Sequence, residues 1–168
     1  ISRDRAVFGV GYFSAWRSGP GKVHHSGGDR ILVAEDKGGR GASPAAAMLR
    51  RAGWISSVAP SVDRLLWTKL ALNAAINPLA ALAGLPNGDI AADPPLRDLL
   101  ERAAAEGERV LKARGIRPLE SSLPAFAVRL CRDTAANVNS MLADIRTGRR
   151  TELEAIVPVS QTDPDQIT

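Results

Sequence analysis

Residues 67–84 read WTKLALNAAINPLAALAG, and the fold follows from how this stretch is spaced. Apolar residues recur with a helical period from Asp63 to Ala83, and Gly84 is placed to end the helix. Lys69, Asn73 and Asn77 stand at i, i+4 and i+8, so they leave one side of that helix, drifting about 40° per step. Their neighbours Leu65, Leu66, Leu70, Leu72, Ile76 and Leu79 are apolar. A lysine and two amides in such company must be met by partners, by water or by a ligand. A desolvated ammonium also loses proton affinity, which is how a lysine becomes a useful acid near neutrality. The competing reading is a solvent-facing seam in which Asn77 merely precedes a kink at Pro78. The uncharged run from Leu70 to Gly88 is long enough to cross a bilayer. It contains Asn73, Asn77, Pro78, Pro86 and Asn87, which favours a buried helix of a soluble protein.

Toward the C-terminus the period stays helical. Asp93-Pro94 caps a second helix that reaches Ala113 and stops at Gly115. A third is expected from about Leu123 to Ile145, opened by Ser121 or Ser122 and ended by Thr147-Gly148. On it Asn137, Ser140 and Asp144 form a second polar seam at i, i+3 and i+7. The two seams can face one another across a cleft; equally, Asn137 and Ser140 can bond locally. Thr151-Glu152-Leu153-Glu154 has the capping-box pattern and starts a fourth helix. That helix is cut short by Pro158 and the polar tail 158–168, which carries no period and is expected to pack loosely.

The first sixty residues are strand-rich. Val7–Val10, Lys22–His25 and Ile31–Ala34 read as short strands separated by turns at Gly19-Pro20-Gly21 and Gly27-Gly28-Asp29. Ser43-Pro44 reads as an N-cap and first helical residue of a short helix to Arg51, followed by a strand at Ile55–Ala59. The division expected is therefore 1–60, strand-rich; 61–157, helical; and 158–168, tail.

Composition narrows the chemistry. Of 168 residues, 45% are apolar but only 4% aromatic, so the core is built from Ala, Leu, Val and Ile. The single Cys131 excludes an internal disulfide and any multi-cysteine metal site. The only histidines, His24 and His25, are adjacent, so no histidine cluster can be gathered from distant elements. Most hydrolase and metalloenzyme chemistry is thereby disfavoured. The net charge of +4 arises from 22 basic and 18 acidic residues without a basic stripe. That suits a small anionic ligand and argues against nucleic acid. No secretory signal opens the sequence, so a cytoplasmic chain is expected. It begins at Ile1 rather than Met, from which a longer N-terminal part is expected.

Two blocks carry a resemblance. WTKLALNAAINPLAALAGLPNG (67–88) and NVNSMLADIRTGRRTELEAI (137–156) together resemble the C-terminal domain of ketopantoate reductases. These are the NADPH-dependent 2-dehydropantoate 2-reductases of pantothenate biosynthesis. The segment GVGYFSAWRSGPGKVHHSGGDRILVAE (9–35) looks like the end of the family's nucleotide-binding domain, so the resemblance spans about residues 5–156. It implies an α+β chain, mainly α: an all-helical C-terminal bundle preceded by the last strands of a truncated Rossmann-like domain. It implies that Lys69 donates to the ketone oxygen as hydride arrives. Asn73 and Asn77 then line the substrate pocket, Ser140 hydrogen-bonds the substrate and Asn137 is a nearby polar position. Glu152 completes the site beside lysine and cofactor. The implied cofactor is NADP(H), the implied substrate a small anionic 2-keto acid, and a homodimer is compatible with it. No membrane partner is implied.

The sequence also departs from the family. Asn139-Ser140 stands where two serines are usual, and the helices that follow the Thr-Glu pair are missing. No G-x-G-x-x-G follows a strand: Gly9-Val10-Gly11 lacks the third glycine and runs into Tyr12-Phe13. Weak NADP binding by this chain alone is the consequence expected of a fragment. The alternatives are a related 2-keto acid reductase of different substrate and a non-catalytic helical dimerisation module.

Overall fold

The 22-residue helix α2 (Val62–Ala83) is the axis on which most of the other elements pack. A computed structural model describes residues 6–35 and 40–156; the tail expected at 158–168 lies outside them. The chain order is β1 (Val7–Gly19), β2 (Lys22–Glu35), α1 (Ala42–Arg51), β3 (Ile55–Val58), α2, α3 (Asn87–Ala92) and α4 (Pro94–Ala113). It closes with α5 (Leu123–Asp133), α6 (Ser140–Arg146) and α7 (Leu153–Ile156). The chain is thus mainly α with one small sheet, as its patterning predicts.

The ends of α2 are chemically specified. Ser61 caps it by accepting from the Arg64 amide at 3.2 Å, and Gly84 leaves it in the left-handed conformation, φ 69°. Helix α2 is apolar and long enough to span a bilayer by length and composition. Here Leu65, Leu72, Ile76 and Ala80 are instead buried against the helices and strands around it. The polar Thr68, fully buried, is satisfied by accepting from the Leu119 amide at 3.0 Å. Helix α4 begins and ends as its caps predict: Asp93 accepts from the Leu96 amide at 3.0 Å, and Gly115 turns the chain at φ 69°. Gly107 lets α4 approach Ala71 of α2 closely.

The sheet differs from the expected three short strands. β1 and β2 form one long antiparallel hairpin around Gly19-Pro20-Gly21, and β3 adds parallel to β2. Gly27-Gly28 is not a turn between strands. It is an irregularity inside β2, opposite register shifts at Tyr12–Ala15. Gly28 has φ 73°, and a Cβ there would lie 2.4 Å from the Tyr12 carbonyl oxygen, so only glycine fits. Val10, Tyr12, Leu32 and Ala34 face α2 and share its core, while Val33 packs on Ala42 and Ala46 of α1 on the other face. The cap of α1 is also not the expected one. Ser43 makes no cap; the Glu35 carboxylate accepts from the Gly41 and Ala42 amides at 2.6 and 2.7 Å.

The expected single helix 123–145 is two helices. Asn139 caps α6, its Oδ1 accepting from the Leu142 amide at 3.0 Å. The carbonyls of Ala135 and Asn137 leave the helical pattern to accept from the Gly88 and Asn87 amides, both at 3.0 Å. Asparagine competes well for backbone groups and favours caps, and two tertiary hydrogen bonds complete the break.

Candidate functional site

Lys69, Asn73 and Asn77 share one face of α2, as their spacing requires. Lys69 and Asn73 are partly buried and Asn77 is buried. Among the described residues none hydrogen-bonds or ion-pairs with these three side chains, so their donors are available. Burial pulls the Lys69 ammonium below the ordinary lysine range. Its neighbour is the ring of Tyr12 on β1, whose centroid lies 5.1 Å from Nζ. Tyr12 is 3% exposed, and its hydroxyl has no hydrogen-bond partner among the described residues. Burial pushes that phenol up to about 12, Arg30 opposing and Glu120 adding to the effect, so it is neutral near pH 7. Glu120 also ties the sheet to α5, accepting from Arg30 at 3.1 Å and Arg129 at 3.2 Å.

The second polar seam does not exist as one helical face, because Asn137 precedes α6. Asn137 is held instead by the Ser14 hydroxyl of β1, which donates to its Oδ1. Ser140 is the first residue of α6 and exposed, and Asp144 is engaged by Arg149 at 3.0 Å. Glu152 lies exposed in the turn before α7, its carbonyl accepting from Ala155 and Ile156. Both α6 and α7 pack on α2, as does β1. The helices that carry Lys69 and Ser140 therefore adjoin, and Glu152 immediately precedes a helix that also packs on α2, although about 70 to 80 positions separate these residues in sequence.

Three positions escape a reading by spacing. Tyr12 carries a signal, being the only tyrosine and on the buried face of a strand. Ser14 alternates with it on the same face. Asn87 is hidden by its Gly88 neighbour, since Asn-Gly reads as a turn. It is in fact buried, donating from Nδ2 to Thr134 Oγ1 at 3.0 Å, while its Oδ1 has no partner among the described residues.

Gly9-Val10-Gly11 lies inside β1 rather than at a strand-to-helix turn, so it presents no helix N-terminus to a pyrophosphate. Among the described residues no group of three or more His, Cys, Asp or Glu side chains is arranged to hold a metal ion. What the geometry does offer is a desolvated cation beside free amide donors, suited to an anionic ligand on whose oxygen charge develops.

The family model described as ketopantoate reductase PanE/ApbA C terminal matches residues 61–158. A 2-dehydropantoate 2-reductase of Halobacterium salinarum is 35% identical over 158 residues, covering 93% of this chain and 52% of that protein. The crystal structure of 2-dehydropantoate 2-reductase from Geobacter metallireducens is similar with a TM-score of 0.78 at 27% identity. The match covers 92% of this chain and 52% of that one. D-Mandelate dehydrogenase, solved with NADH, shares the fold at 17% identity, with a TM-score of 0.76 over 96% of this chain and 56% of that one. The chain spans about half the length of the curated relatives it matches.

Proposed function

Because the chain belongs to the ketopantoate reductase family, we propose that it serves the reduction of 2-dehydropantoate to pantoate in pantothenate biosynthesis. Residues 61–157 are then the substrate domain and residues 1–60 the end of a nucleotide-binding domain. One observation carries this reading. A partly buried lysine with lowered proton affinity shares a helix face with two amides that no described residue engages.

The hydride comes from the nicotinamide cofactor, which we take to be NADPH, and its phosphate cradle is not among the described residues. This chain's part is the keto acid. As negative charge gathers on the keto oxygen, the Lys69 ammonium donates a proton to it. Asn73 and Asn77 offer Nδ2 donors to the substrate's oxygens, and the Ser140 hydroxyl adds another from α6. Asn137, fixed by Ser14, borders them. Glu152, in the turn before α7, completes the site beside the lysine and the cofactor. The same reading places the protein in the cytoplasm, acting on a small anionic 2-keto acid with neither nucleic acid nor membrane as partner, and is compatible with a homodimer.

The test is NADPH oxidation with 2-dehydropantoate as oxidant, alongside other 2-keto acids. In a protein that supplies the cofactor's phosphate cradle together with this chain, Lys69→Ala lowers kcat by at least about 10²-fold, the lower end for a positioned acid. A near-normal kcat in that variant removes the lysine from the mechanism. Faster turnover of another keto acid moves the assignment to that substrate.

A further inference from the structure

We propose that the face of the Tyr12 ring, rather than its hydroxyl, holds the Lys69 ammonium in place. This makes Tyr12 a positioning residue contributed by the sheet to a lysine on the helical part. The functional consequence rests on Lys69 being the proton donor proposed above; the physical contact does not.

The argument starts from the charge. Lys69 has no anionic partner among the described residues, and burial is the whole cause of its lowered proton affinity. A desolvated cation needs some compensation, and the negative face of an aromatic ring within about 6 Å supplies it. At 5.1 Å the Tyr12 ring is in range. The hydroxyl is excluded as the reason for this residue, since it is buried and hydrogen-bonds to none of the described residues.

The ring is also held rigidly enough to act as a fixed platform. It packs against Phe126 of α5, centroids 5.5 Å apart, and Tyr12 pairs across the sheet with Arg30. The strand register shifts immediately after Tyr12, opposite Gly28. Such an irregularity re-aims a side chain, and Gly28 is the residue whose missing Cβ allows it. The glycine, the shifted register and the ring form one device that ends on the lysine.

Only four lysines occur, Lys22, Lys37, Lys69 and Lys112, so NMR of the chain labelled with 13C at lysine Cε resolves Lys69, assigned through Lys69→Arg. The expectation is a ring-current displacement of the Lys69 signal that persists in Tyr12→Phe. Replacing Tyr12 with pentafluorophenylalanine keeps the ring's shape and reverses the polarity of its face. The Lys69 titration then moves down relative to Tyr12→Phe by about half a unit to one and a half units. Tyr12→Leu gives the same direction and abolishes the displacement. Equal titrations in the Phe and pentafluorophenylalanine proteins overturn the proposal. None of these readouts needs turnover. A ring-dependent lysine in a protein that reduces no keto acid upholds the contact and refutes the function, and the converse result does the opposite.

Discussion

Gly88→Ala sets two physical effects against each other where α3 meets the link between α5 and α6. Helix propensity alone favours the variant, since alanine is better than glycine inside a helix by about 1 kcal/mol. Space argues against it. A Cβ at Gly88 would lie 2.6 Å from Ala135 Cβ, 2.9 Å from its Cα and 3.0 Å from its carbonyl oxygen. Two of those atoms are backbone, and they cannot retreat without breaking the Gly88–Ala135 and Asn87–Asn137 hydrogen bonds, both 3.0 Å. Overpacking of this kind costs about 1–3 kcal/mol, and each lost hydrogen bond about 1 kcal/mol. The clash wins, and the net loss is about 2–3 kcal/mol, or about 5–10 °C in Tm for a chain of this size. Urea unfolding followed by helical circular dichroism measures it. Gly107→Ala is the matched control. Its added Cβ meets Ala71 Cβ at 3.2 Å, a contact that a small shift relieves, so the change stays within about 1 kcal/mol of zero. A Gly88→Ala protein as stable as the parent refutes the claim that this link is rigid, and with it the account of why the helix breaks there.

Two further outcomes follow from single groups. Asn139→Ala removes the cap of α6 and costs about 1 kcal/mol, whereas Asn139→Ser retains most of it; equal losses in the two variants contradict the capping role. At alkaline pH, unfolding releases Tyr12 from about 12 to its ordinary value of 10.0, and Cys131 from about 12 to 9.0. The unfolded state thus binds fewer protons, so stability is full below pH 9 and is lost as pH rises toward 12. Tyr12 accounts for about 2–3 kcal/mol of that loss. Lys69 has the opposite sign, its depressed proton affinity making the fold gain stability as pH rises toward 10.5. Urea midpoints between pH 9 and 12 fall less steeply above pH 10 in Tyr12→Phe, and an unchanged slope removes Tyr12 from the linkage.

Much of the architecture was legible because it is written locally. The helix-length apolar period from Asp63, the left-handed glycines at 84 and 115 and the Asp93-Pro94 cap each act within a few residues, and α2 and α4 end where these signals place them. The same holds for the spacing that puts Lys69, Asn73 and Asn77 on one face. The sequence failed to reveal features settled by distant partners. Residues 123–145 keep a helical pattern throughout, yet the chain breaks because Asn87 and Gly88, nearly fifty positions earlier, draw two of its carbonyls away. Gly27-Gly28 looks like a turn until the long pairing of β1 with β2 makes it a bulge. The cap of α1 comes from Glu35 rather than Ser43, because the end of β2 delivers a carboxylate to those amides. At the site, sequence could supply a lysine on an apolar helix but not its environment. The Tyr12 ring reaches Nζ across 57 positions only because strand register, a glycine without Cβ and the packing of β1 on α2 bring them together. Local spacing decides which atoms a helix presents; tertiary packing decides what surrounds them, and therefore how strongly that lysine holds its proton.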